Sequence, residues 1–224
     1  MAVVTVDFDG TLYQGNSFKA MFLVAKKEFT WKEWMVVSGG LIKAGVLGVF
    51  KGKQAFRQAF FKSFARSFKG KTEKELDAFF KTLVVEGYDE IHYDLVKKIR
   101  QHQSEGDEII ILSGALQPFL HAFIKELDLE VHVISTELEF DSEGQCTGET
   151  GPIVNGEEKV RRIVDWLGNN SLSSNNKKAD TDDLWAYADS ENDLPLLEFV
   201  NNPVVVNPDK SMKQIAEKKE WPVF

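Results

Sequence analysis

Two aspartates one residue apart, Asp7 and Asp9, close the first apolar run of the chain. The run from Ala2 to Val6 is rich in β-branched residues and too short for a helix, which predicts a buried strand. Gly10 and Thr11 follow as a turn. Side chains two apart on a strand share a side, so both carboxylates are presented together at the carboxyl end of a core strand. Like charges held that close repel, and a hard divalent cation relieves the repulsion. Carboxylate ligands at a strand end point to Mg2+ and phosphate chemistry. Two more polar clusters follow apolar runs: Ser113-Gly114 after Glu108 to Leu112, and Asp189 to Asp193 after Leu184 to Ala188.

Something must hold these clusters together. Asn16 or Ser17 is expected to cap a helix through about Glu28, and Thr30 one from Trp31 to about Ala44. A third helix is expected over Lys53 to Phe68, with Phe56, Phe60, Phe61, Phe64 and Phe68 as a packing stripe. Thr72 opens a fourth, through about Glu86, with the capping-box partner Glu75. From His92 onward, helices alternate with strands, apart from a hairpin around Asp141 to Gly144 and a polar loop over Ser171 to Asp183. Alternation of this kind implies an α/β fold with a doubly wound parallel sheet, whose ligands bind beyond the carboxyl ends of its strands. The expected organisation is an α/β core of residues 1–15 and 90–224, with an all-helical cap, 16–89, inserted into it.

Composition narrows the setting. Among 224 residues the single Cys146 excludes an internal disulfide and suits a reducing compartment. No basic start followed by an apolar run and cleavage site is visible, so a cytoplasmic location is expected. The longest apolar stretch, Trp34 to Phe50, carries Lys43 and four glycines and is short for a membrane span. Net charge is −8, unevenly spread: Ser17 to Lys71 holds twelve Lys and Arg against two acids, or +10, which leaves −18 for the rest. The basic segment, with Trp31, Trp34 and Phe50, suits an anionic substrate or a weak contact with an anionic membrane surface. Nothing beyond charge supports nucleic-acid binding. The four histidines, His92, His102, His121 and His132, show no ligand spacing and read as surface or structural.

Asp7-Phe8-Asp9-Gly10-Thr11-Leu12, then Ser113 ending an apolar strand, then Lys159, then Asp189-Ser190-Glu191-Asn192-Asp193, follow one another in the order of four known motifs. The chain resembles the haloacid dehalogenase (HAD) phosphatase superfamily. Its helical insertion between the first and second motifs resembles the C1 cap of the phosphoserine-phosphatase-like branch. The resemblance implies Asp7 as nucleophile and Asp9 as general acid and base. It implies Mg2+ held by Asp7, Asp9 (through its carbonyl) and Asp189. Ser113, Gly114 and Lys159 would bind the phosphoryl oxygens, with Asp193, Thr11 and Asn192 in support.

The expected activity is Mg2+-dependent hydrolysis of a small phosphorylated metabolite through an aspartyl-phosphate. The alternatives are phosphoryl transfer to another hydroxyl, as in a transferase or mutase, or a membrane-surface or partner-binding protein that acts through the basic cap. Phosphoserine phosphatases carry an acid shortly after the first motif that meets the substrate amine. Here Asn16 occupies that place, which permits a substrate without an ammonium group. Arg57 and Arg66 are the cap residues expected to grip a second anionic group.

Overall fold

The computed structural model describes residues 1–173 and 183–224, without the side chains of residues 44, 46–55, 57 and 170–173. Its centre is a five-stranded parallel sheet in the order β3-β2-β1-β6-β7. The strands are β1 (Val3–Val6), β2 (Glu108–Leu116), β3 (His132–Thr136), β6 (Leu184–Ala188) and β7 (Asn202–Val205). β1 lies in the middle, paired with β2 on one side and β6 on the other. Its four residues are all buried, as expected of a parallel strand covered on both faces.

Alternate residues serve two apolar clusters. Val4, Val6, Ile109 and Ile111 join one, with α4 (Tyr93–Ser104) and α5 (Gln117–Glu126). Val3, Ile110, Leu112 and Ala186 join the other, with α6 (Glu157–Ser173), α7 (Leu194–Phe199) and α8 (Lys210–Lys219). One buried polar knot lies on the first face. His102 contacts Asp107 through Nδ1 at 2.9 Å and the Tyr187 hydroxyl through Nε2 at 3.0 Å. That fits the structural reading of this histidine.

Between β1 and α4 stand α1 (Ser17–Glu28), α2 (Trp31–Arg66) and α3 (Glu73–Gly87). The outgoing and returning chains cross side by side. The Gln14 amide donates to the Glu90 carbonyl at 2.7 Å, and the His92 amide to the Leu12 carbonyl at 2.9 Å. Helical conformation continues through α2, where the sequence pattern predicts two helices with a break between them. The run is nonetheless not straight. A Cβ placed on Gly40 would lie 2.0 Å from Ser63, whereas a straight helix would separate those residues by about 35 Å. The chain therefore reverses between them, and the two arms pack against each other as two helices would. Lys71 pairs with Glu33 at 2.7 Å across the open end of this hairpin. Phenylalanines fill the bundle: Phe64, Phe68 and Phe80 are buried, and Phe80 meets Phe119 of α5 at 6.4 Å. The apolar cluster thus runs unbroken from the three helices into the sheet. Trp31, Met35 and Ile42 of α2 face outward.

A second link joins the helices to the sheet. β4 (Leu138–Phe140) and β5 (Cys146–Thr150) form the predicted antiparallel hairpin. The Gly70 amide donates to the Cys146 carbonyl, and the Cys146 amide to the Lys71 carbonyl, both at 2.8 Å. Gly148 has φ +81°, and a Cβ there would lie 3.1 Å from Arg66 Cα, so only glycine fits this approach. Among the described residues, no helix is long and apolar enough to cross a membrane. Of the polar loop expected over 171–183, residues up to Ser173 belong to α6, and 174–182 lie outside the described residues.

Candidate functional site

Asp7 follows β1 directly and is buried, its amide bonded to the Tyr187 carbonyl of β6 at 2.9 Å. Asp189 follows β6 in the same way, and the two strands are neighbours. Their carboxylates therefore converge above one seam of the sheet. Gly10 belongs to this seam: its φ is +81°, and a Cβ there would sit 2.2 Å from Asp189 Oδ2. Thr11 Oγ1 donates to Asp189 Oδ1 at 3.3 Å.

Lys159 comes from the first turn of α6 and is 2% exposed. Its ammonium donates to Asp7 Oδ1 at 2.6 Å and to Asp193 Oδ1 at 2.5 Å. Asp193 stands in a short helical turn after β6 and accepts a second bond, from the Ser190 hydroxyl, at 2.9 Å. Burial would discharge a lone lysine, but here Asp193 and Asp7 outweigh it and hold the ammonium well above the ordinary lysine range. Asp7 is pushed up by burial, which Lys159 opposes. Asp189 is pushed up to about 6, by burial first and then by Asp193.

Oxygen atoms of Asp7, Asp189 and Asp193 lie within 4.8 Å of one another. Three carboxylates against one ammonium leave two uncompensated negative charges. An oxygen-only donor set with that deficit fits a hard divalent cation.

Asp9 is placed differently. Its Oδ1 accepts from the Ser17 amide and its Oδ2 from the Ser17 hydroxyl, each at 2.6 Å. Burial raises its pKa, and the two bonds from Ser17 oppose the rise.

The second cluster corrects a sequence expectation. Ser113 and Gly114 do not lie beyond the strand; β2 continues through them to Leu116. The register explains it, since Ser113 faces Ser135 while Leu116 faces Thr136, so Gly114 and Ala115 bulge out of the ladder. Ser113 is buried and its Oγ accepts from the Ala115 amide at 3.2 Å. Thr136 Oγ1 donates to the Gly114 carbonyl at 2.9 Å and accepts from the Val154 amide at 3.2 Å. It ties the bulge to the segment leading into Lys159.

The remaining expected residues lie apart. Asn192 is exposed. Asn16 Oδ1 accepts from the Lys19 amide at 3.0 Å, so its side chain caps α1. Arg66 pairs with Glu149 of the hairpin at 3.5 Å, with both side chains about half exposed. The side chain of Arg57 is outside the described residues. Sequence reasoning missed Ser17 as a partner of Asp9, and also Thr136 and Ser190. Ser17 was visible only as a helix-capping residue and Ser190 only as a member of the last motif, while Thr136 carried no local signal.

The profile of the haloacid dehalogenase-like hydrolases matches residues 4–198. The chain belongs to that family. A histidinol-phosphatase of Neisseria meningitidis serogroup C is 36% identical over 129 residues, which are 56% of this chain and 55% of that protein. Phosphoserine phosphatase SerB1 of Mycobacterium tuberculosis is 26% identical over 231 residues, 99% of this chain and 70% of that one. The chain thus spans only about half the length of the first of these curated relatives. Among solved structures, a protein of unknown function from Bordetella pertussis Tohama I superimposes with a TM-score of 0.78 at 23% identity, over 99% of this chain and 97% of that one. That likeness establishes the fold of this hydrolase-family chain, a parallel sheet between helical layers. Its neighbours in the family include phosphoserine-phosphatase-like members.

Proposed function

We propose that the chain hydrolyses a small organic phosphomonoester with Mg2+ as its divalent cation. The observation that carries this reading is the cluster of buried Asp7 and Asp193, both bonded to Lys159, with half-buried Asp189 beside them, which carries a formal surplus of two negative charges. Phosphatase names among its relatives support the same class.

In this reading Asp7 attacks phosphorus. A bond forms between its carboxylate oxygen and phosphorus while the bond to the substrate oxygen breaks, and that electron pair leaves with the alkoxide. Asp9 gives the alkoxide a proton. Water then attacks the aspartyl-phosphate, Asp9 takes the water's proton, and Asp7 is released with inorganic phosphate. One hard step becomes two easier ones, and one group serves as acid and then as base. Burial raises the Asp9 carboxyl above its ordinary range, the direction that favours a general acid.

Lys159 keeps Asp7 oriented and offers positive charge beside the phosphoryl oxygens, and Asp193 fixes Lys159. Ser113 and the Gly114 amide complete the oxygen-binding side, held by Thr136. The carboxylates of Asp7 and Asp189 and the carbonyl of Asp9 would hold Mg2+, which when bound neutralises charge on the phosphoryl oxygens. Residues 16–89 act as a cap over a core of 1–15 and 90–224. The stretch from Gly10 to Lys27 holds no acid, which supports a substrate recognised without an ammonium–carboxylate pair from this segment.

The test is a phosphatase screen over a metabolite panel with Mg2+, with Asp7→Asn as the blank. Activity is expected from the natural chain, and a loss of about 10⁴-fold or more from the variant. No hydrolysis of any phosphate, p-nitrophenyl phosphate included, overturns the reading.

A further inference from the structure

The first arm of α2 is apolar on two sides. Its inner side packs: Val37 is buried, and Trp34 meets Phe22 at 5.4 Å and Phe29 at 5.9 Å. Trp34, expected from the sequence to serve an outer surface, is thereby taken up by the core. The outer side is open. Trp31, Met35 and Ile42 are 66, 59 and 73% exposed. At about 100° per residue these three fall within about 40° of one another, so they form one stripe. Lys32 and Lys43 are exposed beside it. A helix apolar all round calls for cover on both sides, by protein or by lipid.

We propose that this stripe seats the protein on an anionic lipid surface, with the helix lying in the plane of the interface. Charge favours that occupant. Between Phe29 and Thr72, nine Lys and Arg accompany a single acid, Glu33, and Lys71 compensates that acid at 2.7 Å. Anionic headgroups attract such a face while its apolar side chains enter the boundary with the acyl chains. Tryptophan suits that boundary, with an apolar ring and one polar N–H. Between the two arms the sequence keeps the same character, Val46-Leu47-Gly48-Val49-Phe50 and then Lys51 and Lys53. The arm lies on the surface rather than across it, since no described helix is long and apolar enough to cross a membrane. A second copy fits less well. A two-fold contact uses the same patch on both copies, which here sets lysines against lysines.

The experiment uses the full chain and two kinds of vesicle, phosphatidylcholine alone and phosphatidylcholine mixed with phosphatidylglycerol. Phosphatidylglycerol is a phosphodiester, so a phosphomonoesterase site does not hold it as substrate. Co-sedimentation at low salt is expected to be at least about tenfold stronger with the anionic vesicles, and to weaken as salt rises. Substituting Trp31→Ser, Met35→Ser and Ile42→Ser together is expected to lower binding about tenfold or more. Its melting midpoint should stay unchanged, because all three side chains are exposed. Lys32→Glu with Lys43→Glu is expected to lower binding by a similar factor at low salt and much less at high salt. If the triple variant melts early, the charge pair and the salt series decide, since neither removes packed atoms. No binding to the anionic vesicles, equal binding to both kinds, or full binding by the triple variant overturns the inference. So does a lipid-free dimer in sedimentation velocity that the triple variant loses, which assigns the stripe to a second copy. No turnover is read, so failure of the phosphatase reading leaves this result standing.

Discussion

The sheet and the helices inserted after β1 bury different chemistry. At the carboxyl ends of the strands, Asp7, Lys159 and Asp193 are buried and charged, each held by named partners. In the insertion, the buried polar residues among those described are Ser17, Ser63 and Ser67, and the rest of its interior is apolar and rich in Phe. A buried charge is tolerated only where partners compensate it. The sheet supplies them because neighbouring parallel strands end side by side and deliver loops to one place. The described interior of this helical insertion buries no charged residue, so it does packing and its surface carries the charge. One region is built to hold ions in a fixed arrangement, and the other to be shaped and placed.

The largest expected contrast comes from paired substitutions. Lys159→Ala leaves Asp7 and Asp193 uncompensated and should cost about 3–5 kcal/mol of stability, with kcat/KM falling about 10²–10³-fold. Phe64→Ala in the insertion should cost a similar amount, about 3–5 kcal/mol, yet change kcat per folded molecule little. Thermal melts with active-site titration measure both. A large kcat loss in folded Phe64→Ala breaks the contrast.

A smaller effect follows from Asp189, raised to about 6. Its folded form holds a proton more tightly than an ordinary carboxyl, so in EDTA stability should fall as pH rises through about 4 to 6. The full penalty, about 2–3 kcal/mol, is then present above that window. Melting in EDTA at pH 5 and pH 7.5 should show the lower midpoint at pH 7.5, with Mg2+ reversing the difference and Asp189→Asn reducing it, since Asp7 and Asp9 are raised as well. A midpoint that rises with pH in EDTA contradicts this.

The smallest effect is expected from the insertion's surface. Reversing the exposed Lys19, Lys26 and Lys32 to Glu should lower kcat/KM for an anionic substrate about threefold to tenfold at low salt and leave kcat unchanged. Stopped-flow or initial-rate measurements across a salt series check it.

The two regions also differed in what their sequence disclosed. β1, β6 and the clusters after them were legible because a short apolar run followed by acids is a local pattern. Lys159 was not legible alone, since a lysine in a helix's first turn is ordinarily solvated; only the order of the motifs singled it out. Ser113-Gly114 looked like a strand end because glycine after serine is a turn signal, whereas the ladder with β3 carries β2 past it through a bulge. The Phe stripes disclosed the helices. They could not disclose that helical conformation persists through the reversal in α2, or that Ser17 turns toward Asp9. Those facts depend on which distant residues meet, and periodicity carries no information about partners.

The hairpin β4–β5 has a consequence for exchanging parts between relatives. Backbone bonds join Cys146 to Gly70 and Lys71, and Gly148, at φ +81°, approaches the α2 backbone where a side chain would be strained and crowded. The transplantable unit is therefore discontinuous in sequence. A chimera that moves residues 16–89 onto another core without the hairpin of 138–150 would arrive with two backbone partners missing and a glycine-sized notch unmatched, whereas moving both pieces together carries the joint intact.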